Sequence, residues 1–297
     1  MKKILIFGAT GFIGKKVADY LSQRNDIEVV RYARLPRQGY FCCVPGDRAW
    51  QTLIDDCAAI INCSGVGLTK IKKQNVANEA IARQLMESLP GLEGKKYRLL
   101  HLSTIKAFNA NNYTDAYSVD KQRAEKVFFE HSDKLSGELL RIPAVFGEDD
   151  VNLAPLFNMA RKGKLPQIQG GICSWYCISN QDVAHYISCW LDRENEHTLK
   201  VSYLLSQHRY SINDLIRVVN QHVHGEKYQP AIKNLLFVKL IYKILGVKSL
   251  ISSGFRWNQF PTERFQDLFH RHWKIETSEN ITVHSVDFSP ADIWKVK

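Results

Sequence analysis

The fold of this chain is decided near its start, by Lys3-Ile4-Leu5-Ile6-Phe7-Gly8-Ala9-Thr10-Gly11-Phe12-Ile13-Gly14. The first five of these residues form a short apolar run that stops at a glycine, as a buried parallel strand does. Apolar side chains then recur every fourth residue, at Ile13, Val17 and Leu21, and predict a helix directly after the turn. The stretch therefore predicts a strand, a glycine-rich turn and a helix in immediate succession.

The glycines of this turn favour a phosphate site for a dinucleotide. Gly8 permits the tight turn, Gly11 lets a pyrophosphate approach the backbone, and Gly14 allows the helix to pack closely on the sheet. The first amides of the helix then point at the phosphates, with the helix dipole behind them. The residues expected to contact a coenzyme here are Gly8, Thr10, Gly11, Phe12, Ile13 and Gly14.

Strand and helix patterns alternate through the first half of the chain. Strand patterns follow at residues 27–32, 40–44, 58–62, 97–102 and 138–142, and helical patterns at 74–89, 115–131 and 152–162. Such alternation indicates βαβ units and a mostly parallel sheet. After Gly147 helices dominate, at 182–191, 211–224, 234–245 and 262–269, beside a short strand at 200–204. The pattern predicts an α/β, Rossmann-type doubly wound parallel sheet with a smaller helix-rich C-terminal part.

Composition and charge narrow the class of protein. Hydrophobic residues make up 45% and charged residues 24% of the 297 residues, which excludes disordered, collagen-like and small disulfide-rich classes. The net charge of +10 favours anionic partners, but the basic residues are scattered, so nucleic acid is not expected. Lysines interrupt the longest apolar stretch, 234–251, so no membrane span is expected. Seven cysteines without CxxC spacing indicate reduced thiols and a cytoplasmic location. His270 and His272, like His222 and His224, lie two residues apart without a further ligand cluster, so no metal site is expected.

The end of the second predicted strand bears on the choice of coenzyme. An acidic residue at this place would hold the ribose 2′-hydroxyl of NAD. Residues 29–37 contain no acid and offer Arg34 and Arg37, with Arg31 behind them. Guanidinium groups match a 2′-phosphate, so we expect NADP. NAD stays the alternative if these arginines are only solvated loop charges.

Later strand ends are expected at the same edge of the sheet. Asp47 follows the third predicted strand and is expected to meet the adenine edge of the coenzyme. Cys63-Ser64-Gly65 ends the fourth strand, where small residues would let the coenzyme lie flat. Ser103 and Thr104 end the next one, where hydroxyl groups would face a ligand.

A phenol and an ammonium follow on a predicted helix. Tyr117-Ser118-Val119-Asp120-Lys121 places Tyr117 and Lys121 four residues apart, on one face. With this motif the sequence resembles the extended short-chain dehydrogenase/reductases, in the branch of nucleotide-sugar epimerases, dehydratases and reductases. The matching pieces, in family order, are Gly8-xx-Gly11-xx-Gly14, Pro45-Gly46-Asp47, Asn75-Val76, Ser103-Thr104, Tyr117-xxx-Lys121, residues 141–147 and Asp182-Val183-Ala184.

A finer resemblance concerns the substrate. Ser103-Thr104-Ile105-Lys106 and the stretch 253–273 resemble a subgroup that includes reductases of UDP-4-keto-6-deoxy-N-acetylhexosamines, beside relatives of UDP-glucose 4-epimerase. Members of the subgroup serve polysaccharide biosynthesis. The resemblance implies a nucleotide-binding domain of residues 1–147 plus about 174–203, and a substrate-binding domain of about 148–173 plus 204–297. It also implies homodimerisation as one option, because many members pair through helices of the nucleotide-binding domain.

The resemblance assigns roles to the polar residues. Tyr117 would exchange a proton with the substrate oxygen, Thr104 would bind that oxygen, and Lys121 would favour the phenolate and bind the nicotinamide ribose. Tyrosine titrates at about 10 in isolation, so work near neutrality needs the neighbouring ammonium. The residues expected to contact the substrate are Ser103, Asn152, Trp175 and Arg256.

The chain also departs from the family pattern. Tyr117 follows Thr104 by only 13 positions, so the loop over the sugar is short. Trp175 stands where the family usually has an arginine that clasps phosphates, and a tryptophan can stack but carries no charge. Either another base, such as Arg256, Lys162 or Lys164, compensates, or the substrate is not a standard nucleotide sugar.

Three functions follow from these patterns. The first is an NADP-dependent oxidoreductase that reduces a 4-keto group of a nucleotide-linked sugar, with Tyr117 as general acid. The second is a nucleotide-sugar 4-epimerase that retains its NAD(P). The third, suggested by Trp175 and the short loop, is a non-catalytic protein that binds NADP for regulation.

Overall fold

The computed structural model of the chain describes residues 1–66, 77–90, 96–108, 116–147, 150, 154–164, 167–169, 174–234, 275, 278 and 281–289. The chain divides into two compact units. The first contains residues 1–145, 178–205 and 274–286, and the second contains residues 146–177, 206–273 and 287–297. The assignment of the substrate to the C-terminal part of the chain stays a prediction.

The helices and strands follow in chain order. The first half contains β1 (Lys2–Phe7), α1 (Phe12–Leu21), β2 (Ile27–Arg31), α2 (Arg48–Asp56), β3 (Ala59–Asn62), α3 (Ala77–Ser88), β4 (Tyr97–Thr104), a short 3-10 helix (Ile105–Ala107), α4 (Ala116–Glu130), β5 (Leu135–Ile142) and β6 (Ala144–Phe146). The second half contains α5 (Ala154–Arg161), β7 (Gln167–Gln169), β8 (Ser174–Trp175), β9 (Cys177–Ser179), α6 (Asn180–Asp192), β10 (Leu199–Ser206), β11 (Tyr210–Ser211), α7 (Ile212–His224), β12 (Ile232–Asn234) and β13 (Thr282–Val286).

The first unit is built on a seven-stranded sheet with the order β2-β1-β3-β4-β5-β10-β13. The pairings from β2 to β10 are all parallel. The chain runs from β1 outward to β2 and then crosses to the other side of β1 with β3. The carboxyl ends of β1 and β3 therefore flank the point where the strand order reverses, which is where ligands bind in open α/β sheets.

Helices cover both faces of this sheet. Ile4 and Ile6 of β1 pack with α1 and α6, whereas Leu5 packs with α2, α3 and α4 on the opposite face. The alternation follows from the strand period of two, and burial of both faces explains why β1 is apolar throughout. The predicted doubly wound α/β fold is confirmed.

The second unit has its own packing. Helix α5 lies against α7, β7 pairs with β12, and β8 pairs with β11. Helix α7 begins with a capping box, in which the Ser211 hydroxyl accepts from the backbone N–H of Asp214 and the Asp214 carboxylate accepts from the backbone N–H of Ser211.

Some predicted elements differ from the structure. Residues 40–44 form no strand; Phe41 makes one isolated bridge, to Tyr32, and the left-handed Gly39 and Gly46 enclose the segment. Helix α2 was not predicted, and Asp47 begins it as N-cap. Strand β13, from the predicted C-terminal part, lies at the edge of the main sheet next to β10.

Two predicted helices lie outside the described residues. These are the helix at 262–269 and all but the first residue of the helix at 234–245; that first residue, Asn234, ends β12. Among the helices that the structure describes, none is long and apolar enough to cross a membrane.

Candidate functional site

The turn between β1 and α1 leaves no room for side chains at its glycines. Gly8 has a φ of +73°, and a Cβ added there would lie 2.6 Å from the backbone carbon of Cys63 and the backbone nitrogen of Ser64. A Cβ at Gly14 would lie 2.3 Å from the carbonyl oxygen of Gly8. The two strand ends and the helix therefore touch through bare backbone, as the sequence predicts.

The N-terminus of α1 is open at this turn. Gly11 is its N-cap and supplies no side-chain hydrogen bond, and the first turn carries no acidic residue. Thr10 and Gly11 are exposed, and Phe12 and Ile13 are half-buried. A helix start with uncapped amides and no negative charge fits the pyrophosphate of a dinucleotide.

The arginines at the end of β2 and after it divide into two groups. Arg31 is bound to α1, since its guanidinium donates to Asp19 over 3.0 Å and to Ser22 over 3.1 Å. Arg34 and Arg37 are exposed. The Arg37 guanidinium lies 5.1 Å from the centre of the Tyr40 ring, and the Tyr40 hydroxyl donates to the carbonyl oxygen of Ala9 over 3.4 Å. Tyr40 thus links the arginine loop to the glycine turn.

Asp47, which is predicted to contact adenine, makes structural hydrogen bonds within the chain. Its carboxylate accepts from the backbone N–H of Trp50 over 2.7 Å and of Val44 over 3.3 Å. These bonds cap α2 and close the preceding turn. The residue is exposed, and its contact with adenine stays a prediction.

The segment after β3 lies next to the predicted catalytic lysine. The side-chain oxygen of Asn62 accepts from the backbone N–H and the hydroxyl of Ser64, over 3.0 and 2.5 Å. A Cβ added at Gly65 would lie 3.2 Å from Nζ of Lys121. The structure therefore brings Cys63, Ser64 and Gly65 together with Lys121, which sequence spacing alone does not show.

The two hydroxyl residues at the end of β4 have different surroundings. Ser103 donates to Oε1 of Glu125 over 2.5 Å, in the interior. The Thr104 hydroxyl oxygen accepts from the backbone N–H of Lys106 over 3.3 Å. Adjacent strand residues point to opposite faces, which separates the two side chains. The Ser103 hydroxyl is already committed to Glu125, and its contact with a substrate stays a prediction.

Tyr117 and Lys121 lie on α4, one turn apart. Lys121 is buried, and its Nζ donates to the carbonyl oxygen of Leu102 over 3.2 Å. Tyr117 is half-buried, and Nζ of Lys106 lies 6.0 Å from the centre of its ring. In the sequence Lys106 stands out only as part of the Ser103–Lys106 signature, whereas the structure places this second buried lysine near the Tyr117 ring.

Burial controls the charge of this lysine. Desolvation lowers the pKa of Lys121 to about 8, against the opposing attraction of Glu125 and Asp120. Desolvation also raises the pKa of the Cys63 thiol to about 12, so the thiol stays neutral beside the ammonium. Lys121 therefore loses its proton more readily than an exposed lysine does.

Other predicted residues lie in the second unit or outside the described residues. Trp175 is buried, and its ring centre lies 5.9 Å from that of Phe146. Its ring thus packs in the interior of the unit, and stacking on a substrate stays a prediction. Asn152 and Arg256 lie outside the described residues. Within the described residues, no group of three or more His, Cys, Asp or Glu could hold a metal ion.

The sequence pattern of a known enzyme family covers most of the chain. The sequence pattern of the NAD dependent epimerase/dehydratase family matches residues 4–196. The chain belongs to this family. The prediction of an NAD(P)-dependent enzyme from the nucleotide-sugar epimerase and reductase branch is thereby confirmed at the level of the family.

The individual proteins that resemble this chain share low sequence identity with it. UDP-2-acetamido-2,6-beta-L-arabino-hexul-4-ose reductase from Pseudomonas aeruginosa is 28% identical over 153 residues, which cover 49% of this chain and only 36% of the reductase. Human epimerase family protein SDR39U1, solved with NADPH, covers 99% of this chain and 100% of its own at 14% identity, with a TM-score of 0.69. UDP-N-acetylglucosamine 4-epimerase from Bacillus cereus covers 79% and 86% at 16% identity, with a TM-score of 0.64. The last two likenesses show the fold.

Proposed function

We propose that this protein is an NADP-dependent oxidoreductase that reduces a 4-keto group of a nucleotide-linked sugar. The observation that carries the proposal is the buried Lys121, which lies against Gly65 at the edge of the sheet and one helical turn from Tyr117. The name of the Pseudomonas aeruginosa reductase supports the 4-keto substrate. Exposed Arg34 and Arg37 support NADP, in line with the NADPH of the human neighbour.

Three parts of the chain would bind the coenzyme. The uncapped start of α1 would hold the pyrophosphate, and Arg34 and Arg37 would hold the 2′-phosphate. Lys121 would bind the nicotinamide ribose next to Gly65. When bound, a reduced nicotinamide supplies the hydride.

The proton is the part of the reaction that the protein supplies. Reduction of a ketone to an alcohol adds a proton to the oxygen, and a positioned general acid lowers the barrier to that step. We assign this proton to the Tyr117 hydroxyl and the hydrogen bond to the same oxygen to Thr104. The Lys121 ammonium favours the phenolate that remains, because opposite charges attract.

The test is NADPH consumption against a panel of 4-keto nucleotide sugars. We expect turnover in the parent protein and a loss of at least about 100-fold in Tyr117→Phe, with unchanged NADPH affinity. Tyr20→Phe, which removes a hydroxyl that contacts His185 where α1 packs against α6, is the matched control and should keep full activity. Equal turnover in Tyr117→Phe would refute the role of the phenol.

The other two functions predict different observations. An epimerase would retain its coenzyme through purification and return the hydride to the sugar, so it would not consume NADPH. A regulatory protein would gain thermal stability from NADP but not from any sugar nucleotide. Turnover that Tyr117→Phe abolishes excludes the regulatory protein. The cytoplasmic location and the homodimer stay predictions.

A further inference from the structure

A buried polar pair, Asn78 and Asp120, lies beside the proposed site and takes no part in the proposed proton transfer. The exposed fraction is 4% for Asn78 and 1% for Asp120. Nδ2 and the backbone N–H of Asn78 both donate to Oδ2 of Asp120, over 2.7 and 2.9 Å, and the backbone N–H of Glu79 donates to Oδ1 over 3.1 Å. Asp120 on α4 thus caps the N-terminus of α3.

The same amide of Asn78 holds the segment that follows β3. Its Oδ1 accepts from the backbone N–H of Val66 over 2.9 Å, and its Nδ2 donates to the carbonyl oxygen of Val66 over 3.2 Å. A Cβ added at Gly65 would lie 2.9 Å from Oδ1 of Asn78 and 3.2 Å from Nζ of Lys121. Gly65 is therefore held between Asn78 and Lys121.

The charge of Asp120 also acts on Lys121. Two carboxylates raise the pKa of Lys121 against desolvation, those of Glu125 and Asp120. Glu125 is already neutralised by Arg141, whose guanidinium donates to both of its oxygens, over 3.1 and 2.7 Å. Among the described residues, the hydrogen-bond donors to Asp120 are all neutral N–H groups, and its charge adds to the larger attraction of Glu125 for the lysine.

We propose that Asn78 and Asp120 are positioning residues, which hold residues 63–66 against Lys121 at the place where the nicotinamide ribose binds. The inference rests on the proposed function, because a bound coenzyme is what this arrangement serves. Neither residue is among the groups assigned to the proton transfer. Their effect passes through the backbone of Val66 and through the charge of Lys121.

The first variant tests the hydrogen bonds. Asn78→Ala removes both bonds to Val66, so we expect faster hydrogen–deuterium exchange in a peptide covering residues 63–66. NADPH should bind about tenfold more weakly, as expected for the loss of a buried hydrogen-bonded pair. Glu138→Gln is the control: it alters a different buried polar side chain, the carboxylate that accepts from Tyr186 and Ser202. It should lower stability and leave NADPH affinity unchanged.

The second variant tests the charge. Asp120→Asn keeps the shape of the side chain, so it is the variant that best preserves the fold. We expect the alkaline limit of NADPH binding to move down by about one pH unit, because Lys121 loses its proton more readily. The exchange Asn78→Asp with Asp120→Asn returns a carboxylate to the pair and should restore part of the shift. A purely structural role would lower stability without moving this limit.

Lys121→Met separates the two proposals. If it binds NADPH as tightly as the parent, the proposed function and this inference both fail. If it weakens binding while Asn78→Ala and Asp120→Asn keep the parental affinity, exchange rate and pH limit, the inference alone is overturned. Weaker binding in all of them, with the alkaline limit lowered in Asp120→Asn, supports it.

Discussion

At the residue level, burial lowers the pKa of both His101 and Lys121. His101 on β4 is 3% exposed, and its ring centre lies 4.6 Å from that of Phe128. Burial, and the nearby charge of Lys121, hold the pKa of His101 well below its usual value. A neutral imidazole next to a lysine avoids two like charges in the core.

This histidine makes stability depend on pH. The unfolded chain binds a proton at His101 below about pH 6.5, and the folded chain does so only at much lower pH, so stability rises with pH across that window. We expect His101 to make the free energy of unfolding rise between pH 5 and pH 7, by at most about 2 kcal/mol. Urea unfolding of His101→Phe at both pH values should show a smaller gain. The exposed His197→Gln serves as control, and an equal gain in His101→Phe would contradict the assignment.

The choice of coenzyme also belongs to single residues. Arg34→Ala and Arg37→Ala should each weaken NADPH binding about tenfold and leave NADH binding unchanged, because a guanidinium gains most from the 2′-phosphate. Arg31→Ala is the control, since Arg31 is paired with Asp19. Fluorescence titration with both coenzymes measures the preference. Equal affinity of the parent protein for NADH and NADPH would refute the proposed preference for NADP.

At the scale of elements, the turn between β1 and α1 combines two separate demands on one glycine. Gly8 and Gly39 share almost the same backbone angle, with φ of +73° and +77°. A Cβ at Gly8 would collide with the backbone of Cys63 and Ser64, whereas a Cβ at Gly39 would meet nothing within 4 Å. Comparison of the two therefore separates steric collision from backbone strain.

We expect Gly39→Ala to cost about 1 kcal/mol, from the left-handed backbone alone. Gly8→Ala should cost clearly more and abolish NADPH binding, because β1 and β3 must move apart. Thermal unfolding and coenzyme titration measure both effects. Similar behaviour of the two variants would show that close contact at Gly8 is unimportant.

At the scale of the whole molecule, a buried ion pair joins four elements of the first unit. Arg141 on β5 bonds Glu125 on α4 and donates to the Tyr203 hydroxyl on β10 over 2.8 Å. Ser103 on β4 donates to the same Glu125. The carboxylate and the guanidinium are less than one tenth exposed, so water cannot replace either partner.

Removal of one partner should therefore be costly. We expect Arg141→Met to lower the free energy of unfolding by about 3–5 kcal/mol, and Glu125→Leu with Arg141→Met to recover much of that loss. Lys126→Met, which breaks an exposed pair with Glu130, should cost less than about 1 kcal/mol. Urea unfolding tests all three, and a small loss in Arg141→Met would contradict this account.

Several elements show where sequence patterns stop being sufficient. Residues 40–44 have the apolar residues of a strand, but the flanking turns at Gly39 and Gly46 leave only the bridge at Phe41. Strand β13 lies far from β10 in the chain, and no local pattern predicts that the two are neighbours in the sheet. Asp120 stands inside the quoted Tyr117–Lys121 motif, yet its partner Asn78 comes from another helix.

The sequence alone determines the strand–turn–helix at Gly8, the alternation of strands and helices, and the spacing of Tyr117 and Lys121, because each depends on residues close together in the chain. Tertiary structure alone decides that Gly65 meets Lys121, that Ser103 is committed to Glu125, and that burial brings the pKa of Lys121 to about 8. Contact and desolvation depend on which distant segments the sheet brings together, and this information is not local.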